Sequence, residues 1–166
     1  MTKHPLEVIF KEQKILDAHI HKNHNITYKK VMNERIVALA TELAELANEV
    51  RCFKFWSYKK ASEDSIVLEE YADGIHFITS LAIALKMKPA DIKIKQAKTN
   101  LDRPFLTKHF KALFGTLDKL ETKSGISKWY TSYLILGQEL GFSINQIIDA
   151  YLKKWKINHQ RQDNKY

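Results

Sequence analysis

The chain contains few residues that interrupt helices, and its apolar residues recur at helical spacing over long stretches. Only 5 glycines and 3 prolines occur among 166 residues. Alternating apolar runs joined by tight turns are nearly absent, so the pattern favours an all-α protein. One domain over 1–166, a compact multi-helix bundle, is the expected architecture. We predict helices over 5–22, 29–50, 63–86, 90–99, 103–120, 128–140 and 144–157.

Two local patterns bear on how these helices begin and pack. Ser143 followed by Gln146 is typical of a capping box at a helix start. Gly74 and Gly137 fall inside apolar helical stretches, where a glycine costs up to about 1 kcal/mol relative to alanine. Close packing or a ligand at these two positions would explain why they are glycine.

Several classes of protein are disfavoured by composition. The lone cysteine, Cys52, excludes an intramolecular disulfide framework and a cysteine zinc cluster. No run of about 18 apolar residues occurs, so no transmembrane helix is expected. The first residues lack the pattern of a signal peptide. A cytoplasmic location is therefore the expectation, with no membrane partner.

The charge of the chain is strongly positive but unevenly distributed. Lys and Arg number 27 against 19 Asp and Glu, which gives a net charge of +8. This excess suits nucleic acid, an anionic surface or a small anionic substrate, and it also occurs in proteins where it has no function. Acids concentrate within 42–73 and bases within 151–166. The acidic region is therefore either a solvated helix surface or a region that binds a cation.

Two pairs of carboxylates lie on helices that are otherwise mostly apolar. Glu42 and Glu45 are three residues apart and share one helix face, and so do Glu70 and Asp73. A bundle that turned both pairs inward would place four carboxylates in one cleft, which suits Mg²⁺. A single pair is usually part of a solvated surface. With two pairs, the sequence supports a solvated surface and a cation site equally.

A resemblance to a known family is carried by three segments in the same order. They are ATELAELANEVRCFKFW, LEEYADGIHF and KINHQRQ. Together they resemble the dimeric dUTPase family, a branch of the all-α nucleoside triphosphate pyrophosphatases related to the MazG proteins. The resemblance covers essentially the whole chain. It implies an all-α pyrophosphatase-like fold, a homodimer, and Mg²⁺-dependent hydrolysis of dUTP, and of dUDP, to dUMP, with pyrophosphate released from dUTP.

The resemblance also assigns the acidic residues. Glu42 and Glu45 match the family's Glu-x-x-Glu, and Glu70 and Asp73 match its Glu-x-x-Asp. In the family these four carboxylates hold the magnesium ions that grip the phosphate chain. Glu42 and Glu45 are accordingly the catalytic candidates, and Glu42 is expected to activate the attacking water.

The same resemblance predicts the nucleotide contacts. Phe77 is expected to stack on uracil, and Gln13 matches a glutamine that contacts the base. His76 either contacts the base, orients a metal ligand or is an ordinary core histidine. The full assignments are Gln13, Trp56, His76, Phe77 and Asn158 for base and sugar, and Lys154 and Arg161 for the phosphates.

The C-terminal segment, 154–166, is expected to close over the substrate. The chain departs from the family motif there, because Lys165 occupies the position of its glycine. His19, His21 and His24 form a His-x-His-x-x-His pattern. On a helix all three cannot share one face, so we expect a solvated basic helix end there rather than a metal site.

Two alternatives stay open at this point. One is an all-α pyrophosphatase with a different nucleotide preference, such as dCTP or a broad set. The other is a non-enzymatic basic helical module that binds nucleic acid or a protein. The dUTPase interpretation itself expects a small-molecule substrate and no nucleic-acid partner.

Overall fold

The structure, a computed structural model, describes residues 4–99 and 101–165. Within these ranges the chain forms six α-helices and no strand, which confirms the all-α prediction. Three short 3-10 helices lie between them, at Lys29–Val31, Pro89–Asp91 and Leu117–Lys119. The α-helices are α1 (Glu7–His24), α2 (Met32–Val50), α3 (Asp64–Ala84), α4 (Arg103–Phe114), α5 (Lys123–Glu139) and α6 (Ile144–Asp163).

The helix predicted over 90–99 was wrong. After the 3-10 turn Pro89–Asp91 the chain continues without helix. Ile92 is buried, whereas 93–96 are all exposed, so the segment lacks the recurring buried face of an amphipathic helix. The side chain of Gln138 bonds the backbone here, accepting from Ala97 N at 3.1 Å and donating to Lys95 O at 2.7 Å. These bonds replace those that a helix would have formed.

Two further helices differ from prediction at one end. The helix predicted over 103–120 ends at Phe114. The helix predicted to begin at 128 begins at Lys123, because the Thr122 hydroxyl caps it by accepting from Gly125 N at 3.0 Å. Gly125 therefore lies in the first turn of α5 and not in a break between helices.

The last helix is longer than predicted. It begins with the predicted capping box, in which Ser143 and Gln146 bond to each other's backbone amides. It then continues to Asp163 rather than ending near 157. The polar C-terminal residues up to Asp163 are thus helical. Their predicted closure over a substrate stays a prediction.

Helix α3 lies at the centre of the bundle. It packs against α1, α2, α5 and α6. Most of its residues are buried, including Tyr71, Ile75, Ile78 and Leu81, none of which has any exposed surface. An apolar helix of this kind is stable only when it is covered on all sides. Some of its polar residues, among them Asp73, line a cleft between neighbouring helices.

Gly74 and Gly137 allow α3 and α5 to approach closely. The rings of Tyr71 on α3 and Tyr133 on α5 stack at 4.5 Å between centroids, with an interplanar angle of 4°. Each phenol donates across the interface, Tyr71 to Tyr133 O at 2.8 Å and Tyr133 to Tyr71 O at 3.0 Å. Each hydroxyl lies against the glycine of the other helix. Close packing therefore explains both glycines.

We expect Gly74→Ala to lower the free energy of unfolding by about 2 kcal/mol, because overpacking a tight core costs this much. The new Cβ would overlap the Tyr133 hydroxyl, which is buried and held by its hydrogen bond. Urea unfolding measures the change. Gly115→Ala is the control, since a Cβ there meets no side chain and approaches only the backbone oxygens of Lys111, at 3.3 Å, and Ala112, at 3.7 Å. Equal stability of the Gly74→Ala protein and the parent would contradict this account of the interface.

Candidate active site

A cleft of about 640 Å³ opens where α1, α2, α3 and α6 meet. It collects residues that are far apart in the sequence. With one exception, every residue predicted for the site lines it: Gln13, Glu42, Glu45, Glu70, Asp73, His76, Phe77, Lys154, Asn158 and Arg161. The exception, Trp56, is described below.

Three of the four predicted metal ligands are clustered. Glu42 and Glu45 from α2 and Glu70 from α3 each offer a carboxylate oxygen, and these oxygens lie within 4.8 Å of one another. Three such oxygens repel one another in the absence of a cation. A set of oxygen donors without a nitrogen or sulfur ligand fits a hard divalent cation.

The carboxyl groups of this cluster are unusually basic in the metal-free protein. Burial raises the pKa of Glu42 to about 7, with further contributions from the charges of Asp73, Glu45 and Glu70. Burial and neighbouring carboxylates also raise the pKa of Glu70. A bound divalent cation would lower these pKa values, because it would be the largest charge nearby and would favour the ionised carboxylates.

Asp73 is paired with a lysine instead of joining the cluster. The Lys154 ammonium lies 2.8 Å from Asp73 and 3.2 Å from Glu69. Burial raises the pKa of Asp73 while Lys154 opposes that rise. Burial disfavours the charge of Lys154, but the two carboxylates outweigh it and raise its pKa. The basic helix α6 is thus joined directly to the acidic centre of the cleft.

A buried polar network also lines the cleft. Gln13 donates to Asp17 Oδ1 at 2.9 Å, and its carbonyl oxygen lies 2.8 Å from His76 Nδ1 and 3.0 Å from the Tyr151 hydroxyl. The His76 ring also stacks on Tyr151, at 4.2 Å between centroids. Gln13, Asp17 and His76 are almost completely buried. Their side chains are therefore held in fixed orientations.

The network determines which ring nitrogen of His76 carries the proton. A carboxylate only accepts hydrogen bonds, so Asp17 fixes Gln13 with its NH₂ group toward the aspartate. The Gln13 carbonyl therefore faces His76 Nδ1, which must carry the hydrogen. Burial lowers the pKa of His76 to about 3, so the ring is neutral. Its Nε2 is then a bare acceptor, buried and without a hydrogen-bond partner among the described residues.

The sequence analysis did not identify this network or most of the residues that support it. Asp17 also accepts from the Ser80 hydroxyl at 2.8 Å and from the Tyr28 hydroxyl at 2.9 Å. Arg35 donates to Ser80 at 2.8 Å and lies 2.6 Å from His21 Nε2. Burial lowers the pKa of Arg35 and of His21. Only tertiary contacts bring these residues together, and no spacing in the sequence indicates it.

Trp56 lies outside the cleft. It belongs to the segment between α2 and α3, where Phe55 is 87% exposed and Trp56 is 64% exposed. Tyr58 in the same segment is also fully exposed. The two rings of Phe55 and Trp56 contact edge to face, at 5.0 Å between centroids. Within one chain, Trp56 does not reach the cleft. Its predicted contact with the base therefore stays a prediction.

The bundle and its cleft define a class of protein: an all-α protein with clustered carboxylates, opposed lysine and arginine side chains, and a buried polar pocket in one cavity. The chain matches the family model described as dUTPase over residues 5–166. It belongs to this family of all-α dimeric dUTPases, whose members are dUTP diphosphatases that hydrolyse dUTP to dUMP.

The family implies a requirement for a divalent metal. No curated protein matches the chain. None of the described helices is long and apolar enough to cross a membrane. Membership in an enzyme family removes the alternative of a non-enzymatic binding module.

Proposed function

We propose that this protein is a Mg²⁺-dependent dUTPase that hydrolyses dUTP, and also dUDP, to dUMP, with pyrophosphate released from dUTP. One observation carries the proposal. One cleft is lined by three clustered carboxylates, by the basic side chains of Lys154 and Arg161, and by the buried polar residue His76. This lining therefore offers groups for both the phosphates and the base of one nucleotide.

Glu42, Glu45 and Glu70 are the residues that would hold the cation, and Asp73 would join them once Lys154 is drawn away. A bound Mg²⁺ supplies charge neutralisation on the phosphate oxygens and a water of lowered pKa. Glu42 is the proposed proton acceptor for the attacking water. Its support is its burial within the carboxylate cluster, where it lies closer to the interior than the exposed Glu45.

The basic side chains of α6 would bind the phosphate chain. Lys154 has only 14% of its side chain exposed and already lies at the edge of the carboxylate cluster. Arg161 lines the same cleft two turns further along α6, and its charge opposes the rise that burial causes in the pKa of Asp73. Phosphoanhydride hydrolysis depends mostly on such positioning and charge stabilisation. The end of α6 is the proposed closing segment.

The buried polar network would recognise the base. His76 Nε2 is proposed to accept the N3–H of uracil, because His76 lines the cleft and this buried nitrogen has no hydrogen-bond partner among the described residues. Cytosine has no hydrogen at N3, so its lone pair would face that of His76 and leave both unsatisfied. Gln13 acts through His76 as a positioning residue. Phe77 is proposed to stack on the ring, and Asn158 to contact the sugar.

We expect Lys154→Met to raise the KM for dUTP at least about tenfold, because a charge-assisted contact to phosphate is lost. The variant should also be about 2 kcal/mol less stable without metal, since Asp73 keeps a mostly buried charge without its partner. Steady-state kinetics and thermal unfolding measure these effects. Lys153→Met, an exposed neighbour on α6, is the matched control. An unchanged KM would remove Lys154 from the phosphate site.

A homodimer is part of the proposal. The exposed aromatic side chains of Phe55, Trp56 and Tyr58, together with Val37 on α2, which is 65% exposed, are the support. Burying such residues between two copies would remove them from water. The dimer would also allow Trp56 to reach the base in the partner's cleft. Light scattering after gel filtration should give twice the 19.4 kDa of one chain, and a mass of one chain would contradict it.

The experiment that tests the proposal is pyrophosphate release from each deoxynucleoside triphosphate, with Mg²⁺ and with excess EDTA. Release from dUTP alone, abolished by EDTA, is the expected result. Release from dCTP or from several nucleotides would keep the metal site and refute the His76 assignment. Release unaffected by EDTA would refute the metal requirement. A cytoplasmic site of action, without nucleic-acid or membrane partners, completes the proposal.

A further inference from the structure

A second group of metal-ligating side chains lies outside the carboxylate cluster, where α1 meets the end of α6. It consists of His19 on α1 and His159 and Asp163 on α6. One ligand atom from each residue lies within 4.8 Å of the others. We call these three residues the His₂Asp cluster. The sequence analysis expected no metal site near His19, because His19, His21 and His24 cannot all share one face of a helix.

The structure separates the three histidines of that pattern. His21 lies 2.6 Å from Arg35 in the polar network. His24 lies 3.2 Å from Gln162 and is exposed. His19 instead faces His159, with ring centroids 4.6 Å apart and planes tilted by 50°. Two imidazoles from helices far apart in sequence therefore meet only because α1 and α6 pack together.

The distances within the cluster are too long for good hydrogen bonds. His19 Nε2 lies 3.5 Å from Asp163 Oδ1, and His159 Nδ1 lies 3.7 Å from Asp163 Oδ2. Hydrogen bonds between such groups are about 2.7–3.2 Å long. Zn²⁺ binds nitrogen and oxygen ligands at about 2.0–2.2 Å, so neighbouring ligand atoms of a tetrahedral site are about 3.4 Å apart. The two nitrogen–oxygen separations, each to a different oxygen of Asp163, are close to that edge length.

The cluster is also incompletely satisfied and accessible. His19 Nδ1 is buried and has no hydrogen-bond partner among the described residues. No hydrogen bond at that atom therefore fixes which nitrogen of the ring carries the proton. The side chain of Asp163 is 58% exposed, so an ion and its completing water molecules can reach the cluster from solvent.

We propose that the His₂Asp cluster is a second metal site, which takes Zn²⁺ or a similar borderline transition-metal ion. Imidazole nitrogens favour such ions, whereas the all-oxygen set of Glu42, Glu45 and Glu70 favours Mg²⁺. The bound ion would cross-link α1 to the last turns of α6. His159 directly follows Asn158, and Asp163 lies two residues beyond Arg161. The site would therefore hold in place the part of α6 that lines the cleft.

Zinc titration in excess Mg²⁺ tests this proposal without measuring catalysis. Isothermal calorimetry gives the stoichiometry and Kd, and NMR of the histidine ring nitrogens identifies the ligands. We expect one Zn²⁺ per chain and shifts at His19 and His159. His19→Ala, His159→Ala and Asp163→Asn should each weaken binding at least about tenfold, the size that loss of even an outer-shell partner produces. His24→Ala is the control, and it removes an exposed imidazole outside the cluster.

Asp163→Asn keeps the test valid if a histidine variant folds poorly, because this exposed residue bears little on the core. Two affinity results would overturn the ligand assignment. One is parental zinc affinity in both Asp163→Asn and His159→Ala, which would place the zinc elsewhere. The other is a loss in His24→Ala as large as that in His19→Ala, which would refute this ligand set. Hydrogen exchange of 156–163 should slow with Zn²⁺, and unchanged exchange would refute the cross-link.

Discussion

Glu42→Gln is expected to lower kcat for dUTP by about 10³-fold while the metal-free protein becomes more stable. The loss of activity follows from the removal of a charged ligand and proton acceptor at the reacting phosphate, and single electrostatic groups in such sites contribute factors of this size. Glutamine keeps the shape of the side chain. Initial rates at saturating dUTP and Mg²⁺ measure the effect.

The gain in stability has its own cause. The pKa of Glu42 is about 7 when folded and 4.5 in an unperturbed carboxyl group. Between these pH values the folded protein binds the proton more tightly than the unfolded chain, so stability falls as pH rises through this window. Above it, Glu42→Gln avoids that loss. Because Glu42 is only partly buried, solvent screening leaves a gain of about 1 kcal/mol.

Glu49→Gln is the matched control on the same helix. Glu49 accepts a hydrogen bond from Ser62 and lies outside the carboxylate cluster. Glutamine can still accept that bond, so activity should stay within about twofold of the parent. If Glu42→Gln kept more than a tenth of the parent activity, or if it were destabilised at neutral pH, the proposed role of Glu42 would be wrong.

His76→Asn is expected to lower kcat/KM for dUTP by about 100-fold and to narrow the preference over dCTP by a similar factor. The Asn amide can still donate to Gln13 in place of Nδ1–H, but it has no atom at the position of Nε2. A hydrogen bond between a substrate N–H and a buried acceptor contributes about 1–3 kcal/mol to such discrimination. Competition assays with both nucleotides measure the change.

His76→Gln is the conservative counterpart, since its amide oxygen reaches the position of Nε2. It should recover a large part of the activity lost in His76→Asn. Equal losses in the two variants, with unchanged selectivity, would show that His76 only supports the core, as its stacking on Tyr151 would allow. Ring-nitrogen NMR of the parent should also show Nδ1 protonated and Nε2 bare at neutral pH.

The carboxylate site was largely predictable from the sequence. Glu42 and Glu45 share a helix face because three residues nearly complete a turn, and the same spacing relates Glu70 and Asp73. What spacing could not indicate is that Lys154 holds Asp73 while the other three carboxylates cluster. That pairing depends on where α6 crosses α3, which is a tertiary distance.

The errors in helix assignment have a similar origin. The segment 90–99 contains neither glycine nor a strong turn signal after Pro89, so its composition permitted a helix. Backbone bonds to Gln138, which is more than forty residues away, stabilise the extended form. Local propensity is a weak prior when a distant side chain satisfies the backbone in another way.

By itself, the sequence determined the fold class, the acidic faces of α2 and α3, and the family. These features depend on local periodicity and on residue identity along the chain. Only the tertiary structure decided which nitrogen of His76 is a bare acceptor and that His19 meets His159 across two helices. Hydrogen-bond partners and metal-ligand distances are set by how helices pack against one another. That packing cannot be inferred from the local periodicity or from the order of residues along the chain.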